Sequence, residues 1–245
     1  MYSLYDLRGK IRDYFRFSNE EIRALLLTIL TAAFILSFRQ WGETTFDFSV
    51  GIRNFFNAFL IVTLSLLVKV SVQKIYSLHI GYKMEYQFWL TGILISIFLC
   101  FLTNGWLPFL ALGGFVVTML PGHRLGFFRY NINYFSIGII AVMGPLANLG
   151  LAIFFKMFSW LPSPLIATAI KFNVLIAIFS MLPIPPMDGS KILYAARPFY
   201  VFCLAGIITA GLLTLLINSI PLIVLGGFLM AVFFWAYYFF TYEFK

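Results

Sequence analysis

The sequence predicts an all-α polytopic membrane protein, with six to seven transmembrane helices and a short β-hairpin or re-entrant element. Three observations predict it. Of 245 residues, 62% are apolar and only 11% are charged, whereas a soluble domain is typically about half apolar and about a quarter charged. The mean hydropathy is +0.94. The apolar residues fall in extended runs, separated by short polar or glycine- and proline-rich connections. Charge this sparse does not cover a water-facing surface, which excludes a soluble globular protein. Hydrophobicity this high excludes a disordered chain.

The elements follow in order. Residues 1–17 mix charges with Tyr2, Tyr5, Tyr14 and Phe15 and read as an N-terminal interfacial segment. Ser18-Asn19-Glu20-Glu21 has the spacing of a capping box, with Ser18 as N-cap and Glu21 at N3. It opens an apolar run over 24–38. That run lies behind a charged segment and no small-residue cleavage site follows it, so it reads as a retained first span and not as a signal peptide. Residues 39–52 form a polar connection. The second span starts near Asn54 and fades into Lys69, Gln73 and Lys74. A third runs from near Phe88 to Asn104-Gly105. Residues 106–134 are broken by Pro108, Gly113, Gly114, Pro121, Gly122 and Gly126. Within them, 115–118 reads as a strand and 127–134 alternates loosely. Together they predict a hairpin or re-entrant element, tolerable at membrane depth only under protein cover. Spans four to seven are expected at 136–158, 164–182, 199–217 and 220–240, so 18–245 form a single transmembrane domain.

The chain carries 17 Lys and Arg against 9 Asp and Glu, a net charge of +8. On a membrane protein this excess concerns topology and lipid headgroups. Arg8, Lys10, Arg12, Arg16 and Arg23 precede the first span, and the positive-inside rule then puts the N-terminus in the cytoplasm. The expected partner is the lipid bilayer. Nucleic acid is not expected, because no basic run is interleaved with aromatics. Cys100 and Cys203 both lie in apolar spans, form no CxxC, and read as packing residues.

Acidic residues are scarce enough to follow one by one. Between Glu85 and Glu243 the only carboxylate is Asp188. An ionisable group in or beside a span is a functional candidate. The plainer reading is that Asp188 caps the next helix from the Pro183-Ile184-Pro185-Pro186 turn. Asn148 and Asn173, each in the middle of a span, read as interhelical hydrogen-bonding residues. Lys156 and Lys171 read as cations that snorkel toward an interface.

Three segments carry a resemblance. Gly138-Ile139-Ile140-Ala141-Val142-Met143-Gly144-Pro145-Leu146-Ala147-Asn148 resembles the G-x-x-A-x-x-G-P-x-x-N stretch of the site-2 protease family of intramembrane zinc metalloproteases. Phe179-Ser180-Met181-Leu182-Pro183-Ile184-Pro185-Pro186-Met187-Asp188-Gly189 resembles that family's F-N-L-L-P-I-P-P-L-D-G. Residues 81–89 resemble the segment that follows the zinc-binding helix in archaeal members. The resemblance puts the family core at about 54–195, with Gly144, Pro145, Asn148, Asn173, Ser180, Pro183, Asp188 and Gly189 as its motif positions.

The resemblance implies a chemistry that the sequence then departs from. In the family, the two His of H-E-x-x-H and the Asp of the DG motif bind zinc, and the Glu is the general base. Residues i and i+4 share one helical face, so two imidazoles can hold one metal, which lowers the pKa of a bound water. This chain has no H-E-x-x-H. At the expected spacing stand Lys69-Val70-Ser71-Val72-Gln73: Lys69 for the first ligand, Val70 for the base and Gln73 for the second ligand. Ser180 stands where the family has Asn. Only Asp188 carries over. A second register, His123-Arg124-Leu125-Gly126-Phe127, lies in the glycine-broken region and not on a long helix, and is set aside. His79 has no partner four residues away.

The resemblance therefore implies a non-catalytic pseudoprotease of a prokaryotic cell membrane, with no resident cofactor, that binds transmembrane segments of other proteins. Zinc would be expected only in the alternative, an active metalloendopeptidase. A transporter or structural membrane protein is a further alternative. For the degenerate site the expectation is a salt bridge between Lys69 and Asp188 with Gln73 hydrogen-bonding nearby. The plainer arrangement has Lys69 at the surface and Asp188 as a helix cap.

Overall fold

The computed structural model describes residues 4–42, 46–120, 132–160 and 163–243. Its described helices, in chain order, are α1 (Leu4–Tyr14), α2 (Asn19–Ser37), α3 (Phe48–His79), α4 (Leu90–Leu102), α5 (Tyr134–Lys156), α6 (Pro164–Ser180), α7 (Asp188–Ala195), α8 (Arg197–Leu216) and α9 (Ile220–Tyr238). Two strands, β1 (Tyr82–Phe88) and β2 (Gly113–Met119), flank α4. Among the described residues, four helices are long and apolar enough to cross a membrane: α3, α5, α8 and α9 with its extension to Tyr242. The protein is an all-α membrane protein with a small two-stranded sheet.

Local chemistry sets several boundaries. The capping box at the start of α2 forms in both directions: Glu21 N–H donates to Ser18 Oγ and Ser18 N–H donates to the Glu21 carboxylate. Asp47 caps α3 by accepting from Ser49 and Val50 N–H. At 32 residues, α3 is about 48 Å long at 1.5 Å per residue. It outruns a hydrocarbon core of about 30 Å and begins six residues before the expected Asn54. By contrast α4, the expected third span, has 13 residues, about 20 Å, too short to cross.

The sheet contains a strand that the sequence reading does not assign. β2 pairs antiparallel with β1, in the register Tyr82↔Met119 through Phe88↔Gly113. Much of the expected hairpin's second strand, and His123, fall at 121–131, outside the described residues. β1 carries a period-2 signal, Tyr82, Met84 and Tyr86 buried and alternating with Lys83, Glu85 and Gln87, as a half-covered strand requires.

The core lies where α3, α5, α6 and α7 meet, with Val70, Ile140, Ala141, Phe172, Ala177, Met181 and Ile192 buried. Small residues allow the approach. A Cβ on Gly138 would strike the Ala195 side chain on α7, and one on Gly114 would strike the Pro186 carbonyl. β2 therefore lies directly against the proline turn that leads into α7.

Candidate functional site

One turn of α3 brings Lys69 and Gln73 to the same face, as an i, i+4 pair must. Their side chains point at the junction of α5, α6 and α7. Lys69 Nζ lies 2.8 Å from Asp188 Oδ2, and the two side chains are 9% and 2% exposed. Its angle falls outside hydrogen-bond geometry, so the contact is an ion pair and Oδ2 has no other described donor. Lys69 Nζ also donates to Ser180 Oγ at 2.7 Å. Gln73 Nε2 donates to Asp188 Oδ1 at 3.2 Å and to the Ala141 carbonyl at 3.3 Å.

The backbone explains why that carbonyl is available. Pro145 sits inside α5 and has no N–H to offer residue i−4, which is Ala141. The Gln73 amide satisfies the carbonyl that Pro145 leaves open. Gly144 makes the space: a Cβ there would lie 2.5 Å from Gln73 Nε2 and 2.9 Å from Lys69 Cε. Gly144 and Pro145 are thus tied to the residues at 69 and 73 by volume and by hydrogen bonding.

Asp188 is the first residue of α7, and its N-cap, Met187, makes no side-chain cap bond. The carboxylate turns inward to α3 and is not a helix cap. Its place in the first turn still favours a negative charge. Gly189 packs against the Met181 carbonyl with no room for a Cβ, and Tyr200 O–H donates to that carbonyl at 2.9 Å. Pro183 belongs to the turn between α6 and α7. Val70 is fully buried in the apolar core.

The two asparagines do not make the interhelical bonds expected of them. Asn173 donates to Ala169 O of its own helix, the local back-bonding open to a short amide. Its Oδ1 and both amide atoms of Asn148 are buried without a partner among the described residues. His79 ends α3 and meets the Tyr76 ring.

A second buried pair was not anticipated. Lys74 Nζ lies 2.7 Å from Glu21 Oε2, with side chains 4% and 2% exposed. Lys74 also donates to Arg16 O and sits over the Phe17 ring. Glu21 Oε1 accepts Tyr86 N–H from β1. Glu21 was legible as a capping residue, and that local explanation hid its tertiary one.

The donor set at Asp188 does not fit a zinc ion. Zinc takes thiolate, imidazole or carboxylate ligands, with three or four from the protein. Around Asp188 stand an ammonium, a primary amide and a serine hydroxyl. No group of three His, Cys, Asp or Glu that could hold a metal occurs among the described residues.

The chain is similar to a curated protein of Methanocaldococcus jannaschii named "Putative zinc metalloprotease MJ0611". The two are 26% identical over 185 residues, covering 73% of this chain and 86% of that protein. No protein-family model matches the chain, and no solved structure matches it. Its apolar helices and this similarity together describe a membrane protein with a protease-like relative.

Proposed function

We propose that the chain has the architecture of a site-2 protease without its metal chemistry, and acts as a pseudoprotease that binds segments of other membrane proteins. The observation that carries this is the contact between Lys69 and Asp188. An ammonium lies against the one ligand the resemblance retains, while Gln73 takes its second oxygen. A protonated lysine repels a divalent cation, an amide is a weak ligand, and Val70 cannot take a proton from water. The cluster instead joins α3 to α6 and α7, as a metal would.

The binding surface in this reading is β2. Its second edge carries no strand among the described residues. A groove of about 330 Å³ runs beside it, lined by Phe115, Val117, Ile132, Ile137 and Tyr194. Lys191 stands at the groove over the Phe115 ring and donates to Pro186 O. An extended segment can add to such an edge through backbone bonds alone. The chain would sit in a prokaryotic cell membrane as a multi-pass protein with its N-terminus cytoplasmic.

Two measurements test this reading. Purified protein should hold far less than one zinc per chain, and a photocrosslinker at Val116 should capture membrane-protein segments. Stoichiometric zinc would establish the alternative, an active metalloendopeptidase, which the name of the M. jannaschii relative favours. Lys69→His combined with Gln73→His should create a zinc site with Asp188. Failure of that folded variant to gain zinc would show that 69 and 73 are not the ligand positions.

A further inference from the structure

The end of the bundle where α5 and α8 finish and α6 begins holds a second cluster of polar groups, apart from the Asp188 site. A cavity of about 200 Å³ there is lined by Lys156, Ser159, Ser163, Lys171 and Thr214 among others. Lys171 lies seven residues inside α6, about 10 Å below its first turn. A cation that deep in an apolar helix is stable only if its stem carries the ammonium toward the interface, and here it shares the cavity with Lys156 at the end of α5. Neither lysine is in an ion pair among the described residues. No acid lines the cavity among the described residues.

Two uncompensated ammonium groups repel each other unless an anion stands between them. The hydroxyls of Ser159 and Ser163 add donors at the cavity, whereas the start of α6 offers little, since Pro164 has no N–H and Ile166 and Ala167 N–H already donate to Ser163 O. Trp160, 75% exposed, is the kind of residue that sits at headgroup level.

We propose that this cavity is a phosphate-binding site, filled by the phosphodiester of an anionic phospholipid at the membrane surface. The same chemistry admits free phosphate, and the test separates the two. The full chain in neutral detergent is titrated with phosphatidylglycerol, with phosphatidylcholine and with inorganic phosphate. Bound lipid is counted by native mass spectrometry and the unfolding temperature is followed in parallel.

Phosphatidylglycerol should be retained and should raise the unfolding temperature, whereas phosphatidylcholine should do neither. Lys156→Gln with Lys171→Gln should weaken retention roughly tenfold or more, since each lysine near a headgroup contributes about a factor of five. Lys171→Arg should keep it. The control is Lys83→Gln with Arg197→Gln, which removes two charges away from the cavity and should leave retention unchanged. Saturable binding of inorganic phosphate that needs both lysines, with no preference between the two lipids, would keep the site but make the free anion its ligand. Equal retention of both lipids without phosphate binding, or equal loss in the two double variants, would overturn the proposal. If the lysine double variant does not fold, the single Lys171→Gln and Lys171→Arg pair carries the same test.

Discussion

Two buried ion pairs leave α3 within five residues of each other, yet they are built differently. Lys69 and Lys74 point about 140° apart around the helix. Lys69 reaches inward to Asp188 and Ser180, at the junction of α6 and α7. Lys74 reaches outward to Glu21, and that carboxylate also accepts backbone N–H groups from Ser18 and Tyr86. The Glu21 charge is solvated by the backbone before the lysine arrives. The Asp188 charge has one amide, from Gln73, and otherwise depends on Lys69. Burial and distance are nearly equal in the two pairs, so neither separates them. What separates them is how many partners remain when the cation is removed. The Glu21 pair is a joint between α2, α3 and β1, whereas the Asp188 pair has the smaller set of supports and stands where the resemblance puts a metal.

Removing each cation in turn breaks the comparison at its most sensitive point. Lys69→Ala should cost about 3–5 kcal/mol, the range for leaving a buried charge unpaired. Unfolding of the variant in detergent, titrated with a denaturing surfactant, measures it. Lys69→Met combined with Asp188→Leu should recover most of that loss, because the penalty belongs to the orphaned carboxylate. A double variant as unstable as the single one would mean that the loss comes from packing and not from charge.

Lys74→Ala should cost less, about 1.5–3 kcal/mol, the range for a hydrogen bond to a charged group. Glu21 keeps its two N–H donors, so it is not orphaned. The same denaturation assay tests the order of the two variants. A Lys74→Ala loss equal to or greater than that of Lys69→Ala would show that the backbone donors do not compensate Glu21, and the distinction drawn between the pairs would fail.

How much of this was legible in the sequence follows from the same contrast. Asp188 stood out because carboxylates are so few, and Lys69 and Gln73 because they fill positions where the resemblance expects histidines. Substitution at a motif is a signal that sequence carries. The Glu21–Lys74 pair gave no such signal, since each residue had a sufficient local reason to be there. β1 is legible in the alternation of Tyr82, Met84 and Tyr86, but residues 81–89 are assigned only to the family resemblance and not to a strand. Its pairing with β2 spans a whole helix and depends on non-local contacts. Ala141 was readable only as the Ala of the G-x-x-A-x-x-G-P-x-x-N stretch. Its role as an acceptor follows from Pro145 four residues later, which is a consequence of backbone chemistry and not of composition. The direction of Asp188, inward instead of capping α7, is set by the proline turn and by Gly189 packed on Met181, neither of which fixes a side-chain direction from sequence alone.

A third ion pair sharpens the comparison from the other side. Lys83 Nζ lies 2.6 Å from Glu85 Oε1 on β1, closer than either buried pair, but the side chains are 43% and 36% exposed. Exposed charges keep their water, and pairs of this kind contribute about 0–1 kcal/mol. Lys83→Ala should therefore shift stability by less than about 1 kcal/mol, measured in the same assay as the other two variants, even though its contact is the shortest of the three. The three variants then rank by what is left around the carboxylate: water for Glu85, two backbone donors for Glu21, and a single amide for Asp188. A large loss at Lys83 would mean that proximity decides after all, and the Lys69–Asp188 pair would have no special claim to be the element that holds α3 to α6 and α7.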